Sequence, residues 1–171
     1  MPALHRRDFL RGSTVFGGAL ALPAAGRADV PAGRDPFDYE VIRTEADWRA
    51  LLGEDYAILR EGRTEEPMSS DIWAESRKGR YDCRGCELTQ YHWGTKVNLP
   101  KGWLFFVASE PNAQLMSQDS GAPMGDDPNI MNIEIEVHCR RCGSHMGHIL
   151  LVEGQVLHCI NGASLTFLPA A

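Results

Sequence analysis

Several features are scarce or missing in this chain, and each absence removes a class of protein. No apolar run among its 171 residues reaches the ~20 that a membrane-spanning helix needs. Glycine (17) and proline (10) are too few for a low-complexity polymer, and 43% hydrophobic residues are too many for a disordered chain. There is no basic surplus either. Residues 1–28 carry four Arg and one Asp, so the remainder holds 13 basic against 22 acidic residues, a net charge of −9. Phosphate-backbone binding relies on clustered Lys and Arg, so nucleic acid is excluded as a partner. What remains is one globular domain with a single sizeable core.

The first 28 residues differ from the rest. Arg6-Arg7-Asp8-Phe9-Leu10 precedes a short apolar segment (Val15 to Leu22) and small residues ending at Ala28. A basic start, an apolar middle and a small residue at the exit describe an export leader. The paired arginines followed by Phe9-Leu10 resemble the twin-arginine type, whose transporter carries folded cargo. The expected organisation is a leader at 1–28, a linker at 29–40 and a domain at 41–169. A periplasmic location follows, with no stable membrane insertion once the leader is cleaved.

Cysteine is present in an odd number. Cys83-x-x-Cys86 and Cys139-x-x-Cys142 are separated by 52 residues, and Cys159 stands alone. Two such turns can place four thiolates tetrahedrally around one Zn²⁺, stapling distant parts of the domain. Two disulfides, or redox-active pairs, are the competing readings. A tetrathiolate site leaves no open coordination position, so the metal's role is structural.

Thr44 is placed to cap a short helix through Leu52, with Trp48, Leu51 and Leu52 apolar, and a second helix is expected from Glu54 to Glu61, stopped by Gly62. Thereafter short strands dominate. Ile133, Ile135 and Val137 alternate with acidic residues and lead into the second cysteine pair. Glu153-Gly154 reads as a tight hairpin turn and 117–129 as a loop. A period of two puts Leu157, Cys159 and Asn161 on one strand face. His145 and His148 lie three apart just after the second cysteine turn and can supply or relay protons. Trp103, after Gly102, can wall an apolar pocket, and Phe105 and Phe106 read as a buried strand.

Together, Cys83-x-x-Cys86, Gly102-Trp103, Cys139-x-x-Cys142-Gly143-Ser144-His145-Met146-Gly147-His148 and His158-Cys159-Ile160-Asn161-Gly162-Ala163-Ser164-Leu165 resemble the B-type methionine-R-sulfoxide reductases from about Asp38 to Pro169. The resemblance implies a mainly β fold, a two-sheet β-tent with short N-terminal helices and a structural zinc. It implies Cys159 as nucleophile, His145, His148 and Asn161 around the sulfoxide oxygen and a water, and Trp103 with Phe106 against the substrate. It implies oxidised proteins or free methionine sulfoxide as substrates and, in the periplasm, a thiol reductant. Three positions depart from the family pattern. Leu104-Phe105-Phe106 follows Trp103 where Pro-Ser-Phe is common, Leu157 stands where an arginine often precedes the nucleophile, and Lys101 stands where a resolving cysteine can sit. The Leu157 position predicts a raised thiol pKa unless His158 or a backbone N–H compensates, with Lys101 or His92 as other sources of positive charge. The Lys101 position predicts a one-cysteine cycle. A non-catalytic zinc module on the same scaffold and a thiol enzyme for another small molecule are the alternatives.

Overall fold

The computed structural model describes residues 37–119 and 129–171. The leader and most of the linker lie outside the described residues. Two short helices come first, α1 (Glu45–Leu52) and α2 (Tyr56–Glu61), joined by a 3₁₀ turn at Gly53–Asp55. Thr44 and Asp47 cap α1 reciprocally: the Thr44 side chain accepts from the Asp47 N–H, and the Asp47 carboxylate accepts from the Thr44 N–H. Gly62 ends α2 in the left-handed conformation, φ 70°. Trp48, Leu52 and Leu59 are buried in the main core, whereas Leu51, expected on the apolar side, is exposed.

Among the described residues nine strands follow: β1 (Gly79–Cys83), β2 (Thr89–His92), β3 (Lys96–Val97), β4 (Leu104–Phe106), β5 (Gln114–Gln118), β6 (Ile130–Cys139), β7 (His145–Val152), β8 (Gln155–Ile160) and β9 (Leu165–Pro169). They form a three-stranded sheet in the order β2-β1-β9 and a six-stranded sheet in the order β3-β4-β8-β7-β6-β5. Every pairing is antiparallel. The mainly β, two-sheet expectation holds. Glu153 (φ 50°) and Gly154 (φ 80°) form the β7–β8 hairpin, both left-handed as a twist-matched two-residue turn requires. Ser117 and Gln118, read as loop from the sequence, instead extend β5.

The main core lies between the sheets. Tyr81 from the smaller sheet packs edge-on against Phe106 from the larger, and Tyr91 stacks on Phe106 with ring centroids 4.0 Å apart. A second, smaller cluster of Phe105, Val152 and Leu157, joined by Trp103 and Cys159, covers the opposite face of the six-stranded sheet. Successive strand residues point to opposite faces, so Phe105 and Phe106 belong to different cores. Tyr39, assigned to the linker from the sequence, is buried against the domain, with its ring 6.5 Å from that of His138. Its aromatic surface overrides the polar, proline-rich composition around it.

β7 runs close against β8 at Gly147: a Cβ there would lie 2.1 Å from the Cys159 carbonyl oxygen. Gly147→Ala must therefore push the two strands apart, and a loss of about 2–4 kcal/mol is expected in urea unfolding.

Candidate active site

One line of paired residues crosses the six-stranded sheet. Ser117 on β5 faces Glu136 on β6, Glu136 faces His148 on β7, His148 faces Cys159 on β8, Cys159 faces Phe105 on β4, and Phe105 faces Val97 on β3. Directly opposed residues in a ladder project to the same face. Cys159, His148 and Glu136 thus stand side by side on the face away from the main core.

His145 joins them through a bulge. Simple alternation would send His145 and His148, three residues apart, to opposite faces. The β6–β7 ladder slips between Val137 and His138, leaving Met146 as the extra residue on β7. The slip reverses the parity and sets the two imidazoles 5.2 Å apart, edge to face. His145 Nδ1 lies 2.6 Å from Glu136 Oε1, and His148 Nε2 lies 3.1 Å from Asp119 Oδ2. Glu136 also receives the Ser117 hydroxyl at 3.4 Å.

The charges respond to this packing. Burial works to raise the Glu136 carboxyl, but the hydrogen bond from His145 and the charges of His145, His138 and His148 outweigh it, so the group sits below the usual carboxylate range. His148 is held below the usual histidine range, first by burial and then by His145, against the opposing pull of Asp119. The Cys159 thiol is pushed up to about 12, mainly by burial, with the negative charge of Glu65 adding to it. None of the sources of positive charge considered from the sequence compensates. His158 turns to the other face, where its Nδ1 meets the Tyr91 hydroxyl at 3.1 Å. Lys101 pairs with Glu153 at 3.3 Å, and His92 is an exposed acceptor for the Gly94 N–H. Leu157 is fully buried in the small cluster.

Trp103 lies half-buried in the same cluster as Cys159, consistent with a pocket wall. Two of the expected residues have other places. Phe106 is fully buried between the sheets and is no part of the Cys159 face; Phe105 occupies that face instead. Asn161 is buried with its amide engaged on both sides, Oδ1 accepting from the Glu65 N–H at 3.0 Å and Nδ2 donating to the Met146 carbonyl at 3.1 Å. It braces the turn after Cys159 rather than opening toward the cleft. Glu65 had no signal in the sequence. It sits in a loop with no periodicity, and only its burial beside Asn161 reveals it.

The four remaining cysteines meet at the end of the molecule where β1 and β6 finish. Their sulfurs all lie within 4.8 Å of one another, a set that can hold a metal ion, and none is in a disulfide. Cys83 Sγ and Cys142 Sγ are 3.7 Å apart, and Cys86 Sγ and Cys139 Sγ are 3.5 Å apart. The backbone carbonyls of these turns are gripped by arginines: Arg43 donates to Gly85, Arg60 to Cys142 and Arg141 to Cys86.

A family model for the SelR domain matches residues 51–169, which include every residue of both clusters. The chain belongs to the SelR domain family. This SelR domain is 35% identical over 168 residues to peptide methionine sulfoxide reductase B3 of Arabidopsis thaliana, covering 95% of the chain and 88% of the plant protein. It is 34% identical over 136 residues to the peptide methionine sulfoxide reductase MsrB of Agrobacterium fabrum, covering 76% and 94% of the two chains. The corresponding archaeal protein of Methanosarcina mazei is 33% identical over 133 residues, covering 75% and 89%.

A thiol with so high a pKa is almost entirely protonated at neutral pH. Alkylation of Cys159 by iodoacetamide should therefore be slow at pH 7 and rise about tenfold per pH unit toward pH 11. Mass spectrometry of the modified peptide measures it, and a plateau near pH 8 would contradict the buried, cation-free setting.

Proposed function

We propose that this SelR domain reduces the R-sulfoxide of methionine, free or in oxidised proteins, through a sulfenic acid on Cys159 that an external thiol or partner reductase recycles. One observation carries the reading. The single cysteine outside the four-sulfur cluster is cross-strand from His148, in register with Glu136, and packed with Trp103. The relatives named peptide methionine sulfoxide reductases support the substrate class.

The sulfoxide sulfur is electrophilic, but its oxygen leaves only after taking up protons. With the S-methyl group against Trp103, the Cys159 sulfur attacks the sulfoxide sulfur while the oxygen lies toward His148. A sulfur–sulfur bond forms, the sulfur–oxygen bond breaks, and the oxygen departs as water, carrying the thiol proton and one proton taken up from solvent. Water then cleaves the new bond, releasing methionine and a proton and leaving Cys159 as the sulfenic acid. The substrate sulfur gains two electrons, the Cys159 sulfur loses two, and the thiol proton balances the account of hydrogens. One external thiol then forms a mixed disulfide with Cys159 and expels water. A second thiol restores Cys159 and leaves as the external disulfide. His145 stays fully buried on Glu136 and orients the imidazole pair, leaving His148 as the group nearer the cleft.

For the cluster we propose one structural Zn²⁺, held by Cys83, Cys86, Cys139 and Cys142. Sulfurs bound tetrahedrally at ~2.3 Å from zinc stand about 3.8 Å apart, close to the separations of both sulfur pairs. When bound, the ion supplies cross-linking of the two turns and no reactive position. Export by the twin-arginine route to the periplasm, suggested by Arg6 and Arg7, is consistent with a metal loaded before the thiols meet oxidant.

Mature protein with dithiothreitol should reduce the R-sulfoxide and not the S-sulfoxide. Cys159→Ser should lose activity by about 10³-fold or more, and His148→Ala by roughly 10²-fold. Equal turnover of both epimers, or an active Cys159→Ser variant, overturns the assignment. Zinc titration should give one equivalent per chain, and Cys83→Ser should abolish binding and lower the Tm. Arg6-Arg7→Lys-Lys should retain the precursor inside the cell, which fractionation measures.

A further inference from the structure

We propose that Glu65 is the positioning residue that sets the gap between Trp103 and Cys159 by holding both walls of the cleft at once. The inference rests on the sulfoxide-reductase reading and deepens it. Glu65 lies in the loop between α2 and β1 and is buried, 6% exposed. It makes four hydrogen bonds in two directions. Its Oε1 accepts from the Gly162 N–H at 2.6 Å and its Oε2 from the Ala163 N–H at 2.8 Å. Its own N–H donates to Asn161 Oδ1 at 3.0 Å, and its carbonyl oxygen accepts from the Trp103 indole N–H at 3.2 Å. The turn that ends the Cys159 strand and the indole that walls the pocket thus share a single anchor. The same loop is pinned one turn further on, where the Met68 N–H donates to the Gly102 carbonyl at 2.9 Å.

The choice of an acid follows from the two adjacent N–H donors. A carboxylate offers each an oxygen, whereas an amide offers one oxygen and turns its NH₂ against the other donor. The charge does not help the nucleophile ionise, because a buried negative group nearby opposes a thiolate and raises the Cys159 pKa. What Glu65 contributes is geometry, and near-attack placement of the sulfoxide against the thiol depends on geometry.

The test compares Glu65→Gln and Glu65→Asp with the wild type, using the mature protein and the free R- and S-sulfoxides. Glu65→Gln should raise KM for the R-sulfoxide about tenfold, the scale of one lost charge-assisted hydrogen bond, and should narrow the R-over-S preference. Removing the charge should also move the alkylation profile of Cys159 to lower pH, so activity falls while thiol reactivity rises. Glu65→Asp keeps the charge but retracts the anchor, so its KM should rise with the alkylation profile unmoved. Acrylamide quenching of Trp103, isolated by difference against Trp103→Phe, should increase in both variants and requires no turnover. Variants with wild-type KM, stereoselectivity and quenching overturn the anchor. If the wild type itself fails to reduce the R-sulfoxide, the functional reading falls, and the quenching comparison still decides the anchor. Should Glu65→Gln fail to fold, Glu65→Asp carries the same decision.

Discussion

The meeting of two hairpin ends at four sulfur atoms governs the arrangement of the rest. Cys83 and Cys86 belong to the turn between β1 and β2 of the three-stranded sheet, while Cys139 and Cys142 belong to the turn between β6 and β7 of the six-stranded sheet. Bringing them within 4.8 Å adds a joint between sheets that also meet through the main core and the Tyr91–His158 hydrogen bond. A loop of over fifty residues separates the pairs, so holding them together removes much of the unfolded chain's freedom. Four thiolates on the proposed zinc would leave a net negative charge. Arg60, buried over the Trp48 ring, together with Arg43 and Arg141, would offset it, and all three bind the turn carbonyls. The cluster is thus a joint made rigid by charge and by backbone hydrogen bonds.

From that joint the register of β6 against β7 propagates to the chemistry. The ladder begins beside the cysteine turn, slips at once, and so delivers both histidines to the face that carries Glu136 and Cys159. A bulge at this point re-aims a side chain at the cost of one unpaired residue. Because the site occupies the side of the sheet opposite the main core, it gains rigidity from the core without being sealed by it. The small apolar cluster around Phe105 and Leu157 supplies the low-polarity surroundings, and those same surroundings hold the thiol protonated. On the proposed role of Cys159, recognition of a methylated sulfur and easy ionisation of the thiol are in tension, because the same apolar packing that would serve the first opposes the second.

Where local chemistry decides conformation, the sequence was readable. The Thr44 cap, the Gly62 stop and the Glu153-Gly154 turn each follow from residue types whose backbone preferences are strong and short-range. The paired C-x-x-C turns were readable because only a few chemistries need two thiols three residues apart, twice. The face of Phe106 and the hydrogen-bond partners of Asn161 were not readable for a different reason. Adjacent aromatics in a strand look alike until the partner sheet is known, and an amide's partners come from distant segments. Tyr39 was lost to a composition argument that its burial overrides.

By itself the sequence determined which residues could react, which could bind a metal, and that a mainly β domain would hold them, because reactivity and alternation are properties of residue type and spacing. Tertiary structure alone decided which of those residues share a face, that Glu65 joins them, and that the Cys159 thiol rests protonated. Those outcomes depend on register between strands far apart in the chain and on the dielectric that packing creates, and neither quantity exists until the sheets have met.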